Sequence, residues 1–121
     1  DAPTPLLLLV GTDDGVLAAS AHRYGEGNGE ARPDLVRRTW EEASRPRILA
    51  HLTGGTHFTV AHPKDPSARR AFLEGPEPEN APALREAIAS ATIGFCRHYV
   101  RGERSVDPVP RGPSWTSVEA A

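Results

Sequence analysis

The sequence is poor in several residue types, and each scarcity narrows the class of protein. Among 121 residues there is no methionine, and Cys96 is the one cysteine. A lone cysteine can form neither an internal disulfide nor a cysteine-based metal cluster. Because translation starts with methionine, its absence predicts that the chain has been processed or belongs to a longer precursor. Removal of a signal peptide before Asp1, which would favour secretion, and cleavage inside a precursor both explain it.

Long apolar runs and an excess of one charge are also missing. The longest apolar run, Leu6 to Val10, is far below the roughly 20 residues that span a bilayer. The formal net charge is −2, with arginines dispersed among acidic residues, so no field of one sign is present to gather nucleic acid. The 38% hydrophobic and 25% charged content is that of an ordinary globular domain. Neither a membrane span nor a nucleic-acid partner is expected.

Two segments have the pattern of strands in a parallel sheet. Leu6 to Val10 is apolar without alternation and stops at Gly11, as expected for a strand covered on both faces. Ile48 to Leu52 alternates and then reaches Gly54 and Gly55, which indicates a second strand running into a tight turn. The sequence therefore predicts a strand at each of these segments.

Helical spacing of apolar residues predicts two amphipathic helices, Pro33 to Ala43 and Pro82 to Arg101. A helical turn at Val16 to His22 is expected within a glycine-rich loop, and Ser67 can cap a short helix, Ala68 to Glu74. Strands that alternate with helices favour parallel pairing through a right-handed crossover. An apolar parallel strand needs neighbouring strands at its edges and helices on both faces, and this chain supplies too few of either. Another segment or chain must therefore complete the core.

The C-terminal residues 103–121 are expected to form an irregular tail. Pro108, Pro110 and Pro113 interrupt this stretch, and Trp115 is expected to dock on the body of the protein. Residues 1–102 are then left as one α/β unit.

Two ionisable residues follow the predicted strands directly. Asp14 comes after the first strand and His57 after the second. Because ligands and reacting groups lie beyond the carboxyl ends of parallel strands, we expect the two side chains to meet. An imidazole held by a carboxylate at one nitrogen keeps the other nitrogen ready to accept a proton, as a general base for a serine hydroxyl requires.

These segments resemble the C-terminal part of the α/β-hydrolases. In that family a Gly-x-x-Asp turn carries the triad acid and a Gly-rich turn carries the histidine, which Gly11 to Asp14 and Gly54 to Phe58 match. The residues Leu-Leu-Val-Gly-Thr and Gly-x-x-His-Phe look most like the platelet-activating-factor acetylhydrolase, dienelactone hydrolase and cutinase-like esterase branch. The segment Ala87 to Gly102 is similar to its closing helix. The resemblance covers most of residues 4–102.

The resemblance implies a fold and a pair of catalytic residues. The fold would be the last two strands and flanking helices of a doubly wound α/β-hydrolase sheet, with residues 1–102 as the C-terminal part of a single domain. Its register selects Asp14 rather than Asp13 as the triad acid and His57 as the base. Phe58 would pack beneath the loop. No cofactor is implied. His51, His57 and His62 have no accompanying carboxylate pattern, so no zinc site is expected.

The family's nucleophile is missing from the sequence. No Gly-x-Ser-x-Gly elbow occurs here, and the family's oxyanion-hole donors also lie upstream. The expected protein is a serine hydrolase of carboxylic esters whose serine is supplied by a companion polypeptide, the N-terminal part of the same precursor. The chain alone should then be inactive. A related acyl-transfer enzyme, either a peptidase or a thioesterase, and a non-catalytic binding remnant of the fold are the alternatives.

Overall fold

A computed structural model describes residues 2–14, 33–61, 67 and 77–121 of the chain. Within these residues the elements follow one another as strand, helix, strand, helix and strand. They are β1 (Leu6–Gly11), α1 (Pro33–Glu42), β2 (Arg47–Leu52), α2 (Ala81–Tyr99) and β3 (Trp115–Ala120). The predicted helical turn at Val16 to His22 and the predicted short helix at Ala68 to Glu74 lie outside the described residues.

The two predicted strands and their parallel pairing are confirmed. β1 pairs in parallel with β2, in a register that sets Leu6 opposite Arg47 and Gly11 opposite Leu52. In the part of the chain that the structure describes, β2 is the middle strand of a three-stranded sheet with the order β1-β2-β3. It also carries much of the core, because Ile48, Leu49, Ala50 and Leu52 are all buried. Apolar side chains on a central strand are covered from both sides, which is why this short segment is the most deeply buried strand.

The prediction of an irregular tail is wrong for its last residues. Trp115–Ala120 form β3, which pairs antiparallel with β2 and sets Ala50 opposite Val118. The pairing is irregular between His51 and Leu52, where Trp115 lies opposite Leu52. Trp115 is half-buried there, as its expected docking requires. The sheet is therefore mixed, since β2 has a parallel neighbour on one side and an antiparallel one on the other.

Both amphipathic helices are confirmed, with ends that differ from the prediction by one or two residues. In α2, Leu84 and Ala91 are buried, and three larger apolar or aromatic residues at helical spacing from them are half-buried. These are Ile88, Phe95 and Tyr99. α1 contacts β2 and α2 contacts β1. The described residues thus form an α/β structure with a small mixed sheet and two helices.

A bidentate ion pair joins α1 to β3. Two guanidinium nitrogens of Arg37 donate hydrogen bonds to the two carboxylate oxygens of Glu119, at 2.9 and 2.6 Å. This hydrogen bonding lowers the pKa of Glu119 and raises that of Arg37. Nearby, the Arg47 guanidinium lies over the ring of Trp40 at 4.6 Å from its centroid. β3 is therefore tied to α1 by this ion pair and to β2 by its ladder of main-chain hydrogen bonds.

Candidate active site

The first site turn follows β1 and contains Thr12, Asp13 and Asp14. The amide of Thr12 donates to the carbonyl oxygen of Leu52 at 3.0 Å, which extends the parallel ladder beyond Gly11. The amide of Asp13 donates to the carbonyl oxygen of Gly55 at 2.9 Å. The acid-bearing turn is thereby bonded through its main chain to the segment that follows β2.

The second site turn follows β2 and carries His57. Gly54 has φ +74°, a left-handed conformation that side chains with a Cβ rarely adopt. Its amide donates to the Thr12 hydroxyl oxygen at 2.8 Å. The left-handed residue thus reverses the chain while its amide faces the first turn.

The two turns approach each other too closely for a side chain between them. A Cβ placed on Gly11 would lie 2.1 Å from the carbonyl oxygen of Gly55, a backbone atom that cannot swing aside. Gly11 is therefore needed for the close backbone contact, whereas a Cβ on Gly55 would meet the end of the Leu52 side chain at 2.8 Å and the Gly11 Cα at 3.1 Å. Two main-chain hydrogen bonds and the Thr12 hydroxyl then fix the separation of the turns.

The predicted contact between Asp14 and His57 is present. The His57 Nδ1 lies 3.0 Å from the Asp14 Oδ2, and Nδ1 is the ring nitrogen nearer the backbone. Asp13 does not take this place, because its carboxylate accepts a bond from the Thr12 hydroxyl at 3.3 Å. The Asp14 side chain is 10% exposed and that of His57 is 45% exposed. Asp14, and not Asp13, is therefore the carboxylate that contacts His57.

The geometry of the pair has a direct chemical consequence. A carboxylate can only accept, so in the neutral imidazole the Nδ1 carries the proton and the Nε2 carries the lone pair. That tautomer suits an imidazole that takes a proton at Nε2. The Phe58 ring meets the imidazole edge to face, with centroids 5.5 Å apart and planes at 83°. Phe58 thus packs against the His57 ring.

A cavity of about 320 Å³ opens beside the pair. It lies where the ends of β1 and β2 meet α2, and apolar side chains form most of its wall. The residues around it are Leu9, Val10, Gly11, Asp14, Leu52, Thr56, His57, Thr59, Val60 and Ile88. An apolar recess with one carboxylate and one imidazole at its border is the ordinary form of a small-molecule site.

Two threonines at this site have contacts that the sequence alone does not indicate. Thr12 accepts a hydrogen bond from the histidine-bearing turn, and Thr59 is buried below it. The one sequence signal for the latter is the spacing of Thr56 and Thr59, since hydroxyls three residues apart favour local turns. Neither contact can be located from spacing alone.

The described residues hold no group of three or more histidine, cysteine or acidic side chains placed to bind a metal ion. Of the three histidines at which zinc is not expected, His51 Nδ1 lies 3.1 Å from the Ser117 hydroxyl, and His62 lies outside the described residues.

No described helix has the length and hydropathy to cross a membrane. Comparisons with protein-family models, curated proteins and solved structures found no match to this chain.

Proposed function

We propose that the protein is part of a serine hydrolase acting on carboxylic esters, in which Asp14 and His57 are the acid and base of a catalytic triad. The observation that supports this most is the 3.0 Å contact between Asp14 and the Nδ1 of His57. It joins residues 43 positions apart, at the carboxyl ends of two parallel strands. This is where an α/β sheet holds reacting groups.

In the proposed reaction His57 moves protons between the nucleophile, the leaving group and water. Its Nε2 takes the proton of a serine hydroxyl as the serine oxygen attacks the ester carbonyl. The tetrahedral intermediate then expels the alcohol, which receives that proton, and an acyl-enzyme remains. Water attacks the acyl-enzyme with the same assistance and releases the carboxylic acid. Asp14 holds the reactive tautomer and stabilises the imidazolium while it is charged.

The serine and the oxyanion hole belong, in this proposal, to a companion polypeptide, the N-terminal part of the same precursor. The sequence contains no Gly-x-Ser-x-Gly elbow. The companion would also complete the doubly wound sheet of an α/β-hydrolase. In support, all six residues of β1 are only half-buried although the strand reads Leu-Leu-Leu-Leu-Val-Gly. Within the described residues β1 has a strand neighbour on one side alone.

The test begins with the protein as it purifies from cells that express the complete coding region. Intact-mass analysis and labelling by a fluorophosphonate, which reacts with activated serines, are carried out on the same sample. We expect a second polypeptide, or a longer single chain, that carries the label outside residues 1–121. His57→Ala should abolish labelling. The matched control His51→Ala removes an imidazole from β2, where it contacts Ser117, and should leave labelling intact.

The outcomes distinguish the rival functions. Label on a serine within residues 1–121 would overturn the division of the triad between segments. Labelling without ester hydrolysis, but with peptide or thioester cleavage, would point to the related acyl-transfer enzymes. Absence of labelling from the complete protein would leave a binding remnant of the fold.

A further inference from the structure

Thr59 is a buried polar residue next to the candidate triad pair. Its relative exposure is 2%, and among the described residues it is the one polar residue in the buried class. It also borders the cavity that Asp14 and His57 share. Because burial of a hydroxyl is unfavourable unless it is hydrogen-bonded, its bonds indicate what the side chain is for.

The Thr59 hydroxyl holds the turn that carries His57. The amide of Thr56, directly before the histidine, donates to the Thr59 Oγ1 at 2.7 Å. The two threonine hydroxyls lie 3.3 Å apart. In the opposite direction, the amide of Thr59 donates to the carbonyl oxygen of Thr56 at 3.2 Å. A side chain that bonds the amide three residues earlier is one half of a helix capping box, here bracing the Thr56–Thr59 turn.

The His57 imidazole lies on the turn that the Thr59 hydroxyl braces. His57 lies outside regular secondary structure and is 45% exposed, so packing restrains it only in part. Its partner Asp14 lies on the other turn, whose hydrogen bonds reach Gly54 and Gly55, the two residues directly before Thr56. The hydrogen bond from the Thr56 amide to the Thr59 hydroxyl continues this series of contacts to the residue directly before His57.

We infer that Thr59 is a positioning residue, which holds the Thr56–Thr59 turn so that the His57 Nδ1 meets Asp14. Its relevance to catalysis rests on the proposed function, whereas its effect on the contact does not. Thr59→Val keeps the shape and removes the acceptor, leaving the Thr56 amide without this bond. Thr59→Ser keeps the hydroxyl and removes a methyl group.

The contact can be followed without measuring activity. A proton on Nδ1 that is donated to a carboxylate gives a far-downfield NMR resonance, and its rate of exchange with water reports how often the bond opens. The experiment uses the chain labelled uniformly with ¹⁵N, so that the His57 ring and the backbone amides are observed together, along with any companion that co-purifies. The resonance is assigned by its loss in His57→Gln. The amide of Ala50, in the buried central strand, reports global opening in the same sample.

In Thr59→Val we expect the Nδ1 proton to exchange at least about tenfold faster relative to the Ala50 amide, or to vanish, since an unmade buried hydrogen bond favours local opening. Thr59→Ser should restore the wild-type ratio. The control Thr116→Val removes another hydroxyl, which lies 2.6 Å from that of Thr53, and should leave the ratio unchanged.

A Thr59→Val variant with the wild-type ratio would overturn the inference, as would one in which both protons exchange faster in equal proportion. The second result would make Thr59 a stabilising residue with no special bearing on His57. Failure of the proposed function gives a different pattern. The resonance and its dependence on Thr59 would persist while the complete protein showed neither fluorophosphonate labelling nor hydrolysis.

Discussion

The two neighbours of β2 are built differently. β1 is apolar through its first five residues, carries no charge and is half-buried along its whole length. β3 contains threonine, serine and glutamate, its exposed positions include Thr116 and Ser117, and the Arg37 ion pair ties it to α1. Natural sheets protect an outer edge with short strands and charged side chains. β3 has those features, whereas β1 has the composition of an interior strand.

We call β1 and the turns that carry Asp14 and His57 the working edge of the sheet, and β3 with its Arg37–Glu119 ion pair the closing edge. The candidate site lies entirely on the β1 side, where Gly11 and Gly55 bring two turns together and Asp14 reaches His57. Its contacts are made by main-chain groups, hydroxyls and one carboxylate–imidazole pair. The β3 side is held instead by a guanidinium–carboxylate pair. Changes on the two sides should therefore have distinct consequences, which the following variants test in order of decreasing effect.

The largest effect is expected at His57, the proposed general base. Under the proposed mechanism, His57→Ala in the complete protein should reduce turnover of an ester by roughly 10³ to 10⁶, because the proposed serine would lose its proton acceptor. His51→Ala, on the face of β2 that meets Ser117 of β3, should leave turnover close to wild type. Initial rates and thermal unfolding measured on both variants check this. Near-normal turnover in His57→Ala would remove that residue from the mechanism.

A charge placed on each neighbour of β2 should separate an interior strand from an outer one. Leu8→Asp puts a carboxylate in the middle of β1, where a covering companion would have to bury it at a cost of several kcal/mol. We expect this variant to lose the companion during size-exclusion chromatography. Ser117→Asp makes the same charge change at an exposed position of β3 and should retain the companion. Equal retention by both variants would contradict the proposal that β1 is covered.

The close approach of the two turns offers a narrower test. Gly11→Ala puts a Cβ 2.1 Å from the Gly55 carbonyl oxygen, so the turns must separate. We expect a loss of about 1–3 kcal/mol in the free energy of unfolding, the usual cost of overpacking, together with weakening of the Asp14–His57 contact. In the control Gly94→Ala the new Cβ meets the Asp107 carbonyl oxygen at 3.3 Å, and helix propensity favours alanine. Denaturant unfolding of the two variants should therefore rank Gly11→Ala as clearly less stable.

The same contrast explains how far the sequence could predict the structure. β1, β2 and the meeting of Asp14 with His57 follow from local hydrophobic patterns and from the rule that parallel strands end together. β3 was not predictable in this way, because its short polar sequence follows three prolines and its pairing with β2 is decided by tertiary contact. The partnership of Arg37 with Glu119 joins residues 82 positions apart, a distance at which no spacing rule applies.

The smallest effect is expected at the closing edge, where Glu119→Gln removes the ion pair with Arg37. Both side chains are about two-fifths exposed, so solvent screens the attraction and the loss of stability should be slight.

The contribution of this ion pair to stability depends on pH with a definite sign. Hydrogen bonding to Arg37 lowers the pKa of Glu119 below its ordinary value of 4.5, so the folded state favours the ionised carboxylate. The stability from this pair is present above that ordinary value and is lost as the pH falls through the lowered pKa. Thermal unfolding at neutral and at acidic pH should therefore show wild type and Glu119→Gln converging in acid. Raising the ionic strength at neutral pH should narrow the same gap. If the difference in stability between wild type and Glu119→Gln persisted in acid, the effect of the substitution would come from packing rather than from charge. The closing edge would then be held mainly by uncharged contacts, as the working edge is.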